Sequence, residues 1–155
     1  MIDSLIWEDI FGFITLDYHN MILLMDKITT LIRELLQKQP EIPLAIIYGS
    51  AAEKRQAPES DLDLAVASKK SLSAELKMKL IENLAVITGR PVDLVNLQTT
   101  HGPLLKQIRT KGTLILKKDT TLYADIIKRM LFEDADFMPY YNRILKERRD
   151  KWINN

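Results

Sequence analysis

With 155 residues, 46% of them hydrophobic and 28% charged, the chain has the composition of one globular domain large enough to bury a core, which excludes a disordered polypeptide. A formal net charge of +1 excludes a globally basic nucleic-acid binder, and the lack of cysteine excludes disulfides, thiolate metal sites and cysteine nucleophiles while suiting a reducing cytoplasm. No run is long and apolar enough to span a bilayer, so neither a membrane nor nucleic acid is expected as a partner.

The chain opens on "MIDSLIWEDIFGF", apolar but carrying Asp3, Glu8 and Asp9 without a basic start, which does not read as a signal peptide. Residues 1–20 form an N-terminal extension: Trp7, Phe11 and Phe13 pack as an extra helix, or Met21 is an alternative start. From about Tyr18 to Gln39, Met25, Ile28, Leu31, Ile32 and Leu35 recur at helical spacing, and Pro40 and Pro43 close this amphipathic helix. "PLAIIYG" is a short apolar run bounded by turn signals, consistent with a buried strand. A loop, "AAEKRQAPES", leads to "DLDLAVA", where Leu62, Leu64 and Val66 face one way and Asp61, Asp63 and Ala65 the other. That loop permits either antiparallel pairing of the two strands or a helical crossover.

Leu72, Leu76, Leu80, Leu84 and Ile87 predict a helix from Ser71 to about Thr88, with Ser71 or Ser73 as N-cap and Gly89 as the stop. "PVDLVNL" predicts another buried strand. A shorter helix around Leu104 to Arg109 ends near Gly112, "TLIL" is a short strand, and a helical region begins at Thr121. After Pro139, "YYNRILKERRDKW" predicts one more helix, its basic residues a solvated face. Tyr140 and Tyr141 are expected to be buried, His19 and His101 to be surface or capping residues, and Met21 and Met25 to fill core gaps. The expected fold is α/β (α+β), a mixed sheet of about four strands flanked by helices in a single domain over residues 1–155, with residues 119–155 a helical C-terminal region.

Chemistry concentrates between the first two strands. Asp61 and Asp63, two apart on an extended chain, project from one face. Carboxylates so close repel and raise each other's pKa unless a cation sits between them, and hard oxygen ligands suit Mg²⁺ with phosphates and water. Asp93 interrupts an apolar run; if its strand neighbours theirs, a third acid joins the site and is placed to take a nucleophile's proton. Gly49 and Ser50 supply the complement, since glycine lets backbone N–H groups approach phosphate oxygens and the serine hydroxyl adds a donor. Lys54 and Arg55 follow where a polyphosphate gains from positive charge. A Gly-Ser pair or an Asp-x-Asp pair alone is common; their conjunction, with apolar runs at both, selects the functional reading.

Gly49-Ser50, ten intervening residues and Asp61-Leu62-Asp63, followed by Asp93 on a later strand, resemble the signature of the polymerase-β-like nucleotidyltransferases. The resemblance covers about residues 44–97. It departs from the pattern after Gly-Ser, where the family often has arginines and a glycine and this chain has Ala51, Ala52 and Glu53. The small size is similar to the minimal nucleotidyltransferases, in particular the antitoxins of HEPN–MNT toxin–antitoxin pairs. The resemblance implies a nucleotidyltransferase fold and an enzyme using ATP and Mg²⁺ to transfer AMP to a tyrosine of a HEPN RNase toxin, releasing pyrophosphate. It implies Gly49, Ser50, Asp61, Asp63 and Asp93 as catalytic residues, the three Asp as metal ligands, and Gly49, Ser50, Lys54 and Arg55 at the nucleotide. The alternatives are a small-molecule, aminoglycoside-like nucleotidyltransferase and a non-catalytic antitoxin acting by binding alone.

Overall fold

The computed structural model describes residues 23–52 and 60–153. Helix α1 covers residues 23–37, and its buried side chains, Met25, Ile28, Ile32 and Leu36, repeat at the predicted helical spacing. Expectations for residues 1–22, including His19 and Met21, lie outside the described residues. The chain continues as β1 (Leu44–Tyr48), the short helix α2 (Gly49–Ala52), β2 (Leu62–Ala67), α3 (Ala74–Thr88), β3 (Val92–Asn96), α4 (Gly102–Lys111), β4 (Thr113–Lys117) and α5 (Thr120–Ile153).

The four strands form one mixed sheet in the order β3-β2-β1-β4. β1 pairs antiparallel with both β2 and β4, so the choice left open by the first loop falls to antiparallel pairing; β2 and β3 run parallel, joined through α3. β1 is buried at every position, as befits a central strand covered on both faces. One face carries Ala45, Ile47, Leu62, Leu64, Val66 and Leu94 and packs against α1 and α3. The other carries Leu44, Ile46, Tyr48, Ala65 and Ala67 and packs against Leu105 and Ile108 of α4 and Ile126 and Met130 of α5. The period-2 alternation of "DLDLAVA" therefore divides two cores.

Local signals account for the helix ends. The Ser73 hydroxyl accepts from the Leu76 N–H at 3.2 Å, and Gly89 ends α3 at φ +66°, its N–H donating to the Ala85 carbonyl. Ser73→Ala is expected to cost about 1 kcal/mol in denaturant unfolding without affecting the site, which lies on other elements. At the end of α1, the Lys118 ammonium donates to the carbonyls of Leu36 (2.9 Å) and Gln39 (2.8 Å), supplying partners the helix cannot provide itself.

A polar clamp docks α4 on α5. The Gly102 N–H, at the start of α4, donates to Glu133 Oε1 at 2.5 Å, and His101 Nδ1 lies 3.0 Å from Oε2. His101 is thus the N-cap residue of α4, acting through Glu133 rather than by its own cap bond. Arg129 donates to the carbonyls of Thr100, at 3.2 Å, and Leu97. Burial pushes the Glu133 carboxyl up, but the Gly102 N–H, the His101 bond and the charges of His101 and Arg129 outweigh it and hold it below the usual range. A lowered carboxylate pKa stabilises the fold above its unfolded value, and that contribution disappears as pH falls through the folded value. Glu133→Gln is therefore expected to cost about 1 kcal/mol at neutral pH, the scale of a carboxylate at a helix N-terminus. The difference from wild type should close in acid when melting is followed against pH.

Three expectations need correction. β3 is not a buried strand: as a sheet edge it buries only Leu94, and Asp93 is exposed. The C-terminal region is not broken at Pro139; α5 is one helix of 34 residues with the proline inside it. The missing N–H releases only the Ala135 carbonyl, on an exposed stretch where water can satisfy it. Tyr140 is not buried but 55% exposed, because this part of α5 runs past the sheet it packs on.

Candidate active site

β1 ends at Tyr48 and the chain turns sharply at Gly49, whose φ of +68° lies in the left-handed region that favours glycine. A second constraint falls on the same residue. A Cβ placed on Gly49 would overlap the Asp63 Oδ2 and lie 2.9 Å from its Cγ and 3.3 Å from its Cβ. The Asp63 carboxylate therefore rests directly on the backbone of the Gly-Ser turn, which antiparallel pairing produces by setting Tyr48 opposite Asp63. Ser50 follows in α2, half-buried. Lys54 and Arg55 lie outside the described residues.

The acids meet at the same sheet end. Leu62, buried in the opposite core, separates Asp61 from Asp63, and its N–H donates to the Pro91 carbonyl at 2.9 Å, anchoring the start of β2 to the approach of β3. The parallel register then places Asp63 directly opposite Asp93. Like charges opposite one another in a sheet are destabilising. Burial first, then the charges of Asp93 and Asp61, push the Asp63 carboxyl above its usual range. The structure thus brings together Gly49, Asp61, Asp63 and Asp93, with Ser50 beside Gly49. Among the described residues no three His, Cys, Asp or Glu side chains form a ready-made metal-ligand set. The arrangement is instead an open, anionic sheet end beside a glycine turn.

One residue at this end escaped sequence reasoning. Tyr48, only 3% exposed, shares the row of Asp63 and Asp93. Burial, then the charges of Asp93 and Asp63, push its hydroxyl up to about 12. Its signal in the sequence was its place immediately before Gly49, where any bulky apolar residue would read as the same strand.

The model of the family "Polymerase beta, Nucleotidyltransferase" matches residues 30–121, spanning all four strands and both sets of acids. The chain is 30% identical over 101 residues to the protein adenylyltransferase MntA of Shewanella oneidensis, covering 64% of this chain and 70% of that protein. Its fold is similar to a crystal structure of the toxin-antitoxin with AMP-PNP, at 24% identity and a TM-score of 0.59, covering 74% of this chain and 95% of that one. It is also similar to tri-AMPylated Shewanella oneidensis HEPN toxin in complex with MNT antitoxin, at 22% identity and a TM-score of 0.53, covering 76% of this chain and 98% of that one. The family model covers more than half of the chain, including Gly49, Asp63 and Asp93, and the chain belongs to the polymerase beta nucleotidyltransferase family.

Proposed function

We propose that this chain is an MgATP-dependent protein adenylyltransferase that modifies a tyrosine hydroxyl of a cognate HEPN RNase toxin and thereby acts as its antitoxin. The observation that carries the reading is the contact of Gly49 with Asp63, opposite Asp93, in a chain 30% identical to a protein adenylyltransferase. A phosphate-binding turn and an anionic cluster occupy the same place, which is useful only if a cation reconciles them.

Asp61, Asp63 and Asp93 are the residues that would hold Mg²⁺. Their repulsion is relieved by a cation, and Mg²⁺ takes few carboxylates, completing its shell with water and phosphate oxygens, so an open set suits it better than a closed cage. When bound, it neutralises charge that develops on the phosphates. The protein's own part is positioning. Gly49 and Ser50 hold the β- and γ-phosphates, with Lys54 and Arg55 adding positive charge. The tyrosine oxygen of the acceptor attacks the α-phosphorus, its proton passing to Asp93. The bond from the α-phosphorus to the bridging oxygen breaks, and pyrophosphate leaves with that electron pair. Residues 1–155 act as a single domain, working in the cytoplasm.

Intact mass of the HEPN protein after co-expression tests this. Adenylyl-sized increments with wild type, absent with Asp61→Asn/Asp63→Asn, are expected. An unmodified partner in a stable complex would replace the reading with neutralisation by contact alone. No complex at all would replace it with a small-molecule enzyme.

A further inference from the structure

Helix α5 turns Ile126 and Met130 into the second core, but the stripe beside them is left largely uncovered. Tyr123, Ile127 and Leu131, at four-residue steps, line with Phe132 a groove of about 750 Å³ that is closed on its other side by Lys117 of β4. Leu131 is 52% and Phe132 59% exposed. Single exposed apolar residues are ordinary, whereas a contiguous apolar run of this kind marks a surface that another element covers. The groove follows α5 from Thr120 to Ala135, about 22 Å at the helical rise.

Charge narrows the choice of what covers it. The lining carries two cations, Lys117 and Lys128, and no acid. Each ammonium sits over an aromatic ring of the groove, Lys117 at 5.5 Å from the centre of Tyr123 and Lys128 at 5.9 Å from that of Phe132. A second copy of the chain pairing through the same stripe would bring these lysines against their own equivalents. An acidic apolar segment would meet them favourably.

The chain contains such a segment upstream of α1. It carries Asp3, Glu8, Asp9 and Asp17, with no lysine or arginine before Lys27. Trp7, Ile10, Phe11 and Ile14 recur in it at i, i+3, i+4 and i+7, the spacing of one helix face. α1 is tied to the strand that closes the groove, since the Arg33 side chain donates to the Ile115 carbonyl of β4 at 2.9 Å. The 22 residues upstream of α1 span up to about 70 Å when extended, and about 15 of them as a helix match the groove in length.

We propose that residues 3–18 form an acidic amphipathic helix that lies in this groove of the same chain, with Trp7, Ile10, Phe11 and Ile14 against Ile127, Leu131 and Phe132 and the acids beside Lys117 and Lys128. This is independent of the adenylyl-transfer reading. The groove begins at the far end of the sheet from the acids: Lys117 pairs with Leu44 at the start of β1, whereas Asp63 pairs with Tyr48 at its end.

Trp152→Phe in the full chain leaves Trp7 as the single tryptophan and so a reporter of docking. Its emission is expected to be blue-shifted from that of the denatured chain and shielded from acrylamide, equally at every protein concentration. Adding Leu131→Asp/Phe132→Asp, at two exposed positions, should shift the emission to the red and remove the shielding while circular dichroism keeps its folded form. Lys117→Glu/Lys128→Glu should lower hydrogen-exchange protection of residues 3–18 about tenfold, the scale of two exposed pairs turned from attraction to repulsion. Asp9→Lys/Asp17→Lys in that same chain should restore it. A solvent-exposed Trp7 in the Trp152→Phe chain, shielding that survives Leu131→Asp/Phe132→Asp, or a charge reversal without effect or without rescue would each overturn the proposal. Shielding that grows with concentration alongside a doubled mass in sedimentation would overturn it in favour of a second copy on this face.

Discussion

Asp61→Asn/Asp63→Asn is expected to lower AMP transfer by at least about a thousandfold while making the nucleotide-free protein more stable. The two effects have one cause. Asp63 rests against Gly49, faces Asp93 and follows Asp61, and its carboxyl is pushed above the usual range by burial and by those two charges. A folded-state carboxyl with a raised pKa binds its proton more tightly than the unfolded chain does. Folding stability therefore falls as pH rises from the ordinary carboxylate value through the raised one, and the whole penalty is present at neutral pH. Asparagine keeps the shape and removes the charge. Thermal melting across this range should show the wild-type loss and a flatter profile for the variant, with the variant melting higher at neutral pH. Magnesium with ATP should stabilise the wild type by occupying the site and should do little for the variant. A variant that melts lower than wild type at neutral pH would refute the view that this cluster is a stability cost retained for chemistry.

Gly49→Ala is the second large effect, and Gly89→Ala is its control. Both glycines sit near φ +67°, so alanine at either position meets the same backbone strain, about 1–2 kcal/mol. A Cβ at Gly89 meets no atom within 4 Å, whereas at Gly49 it overlaps the Asp63 carboxylate. Gly89→Ala should thus cost the backbone strain alone and leave transfer intact. Gly49→Ala should cost more stability and reduce kcat by about a hundredfold or more, because displacing a reacting group by about 1 Å has effects of that order. Equal stability losses for the two variants, measured by denaturant unfolding, would show that Asp63 swings away freely and that the contact does not position it.

These two variants bracket how the anionic end of the sheet is held together. The turn fixes Asp63 from below and the register places Asp93 beside it, while no part of the described chain closes over the cluster as a complete ligand cage. No helix among the described residues is long and apolar enough to cross a membrane.

Much of this was already determined by the sequence, wherever the controlling physics is local. A serine that caps at Ser73, a glycine that stops a helix at Gly89, and the period-2 alternation that sends Asp63 and Leu64 to opposite faces each act within a few residues, so their outcome can be read from neighbouring letters. The Gly49-Ser50 and Asp61-Leu62-Asp63 pair was legible for the same reason: each half is a short pattern whose chemistry depends on residue type and spacing. What the tertiary structure decided is non-local. Alternation assigns a side chain to a face but names neither the neighbouring strand nor the register. The antiparallel pairing that seats Asp63 on Gly49 and the alignment of Tyr48, Asp63 and Asp93 emerge only when three separate strands are laid side by side. The exposure of Asp93 follows from β3 being last in the sheet, a property of strand order that no window of residues contains. α5 passes through Pro139 because the carbonyl it orphans lies where water can reach it, and solvent access is likewise set by the folded chain rather than by local propensity.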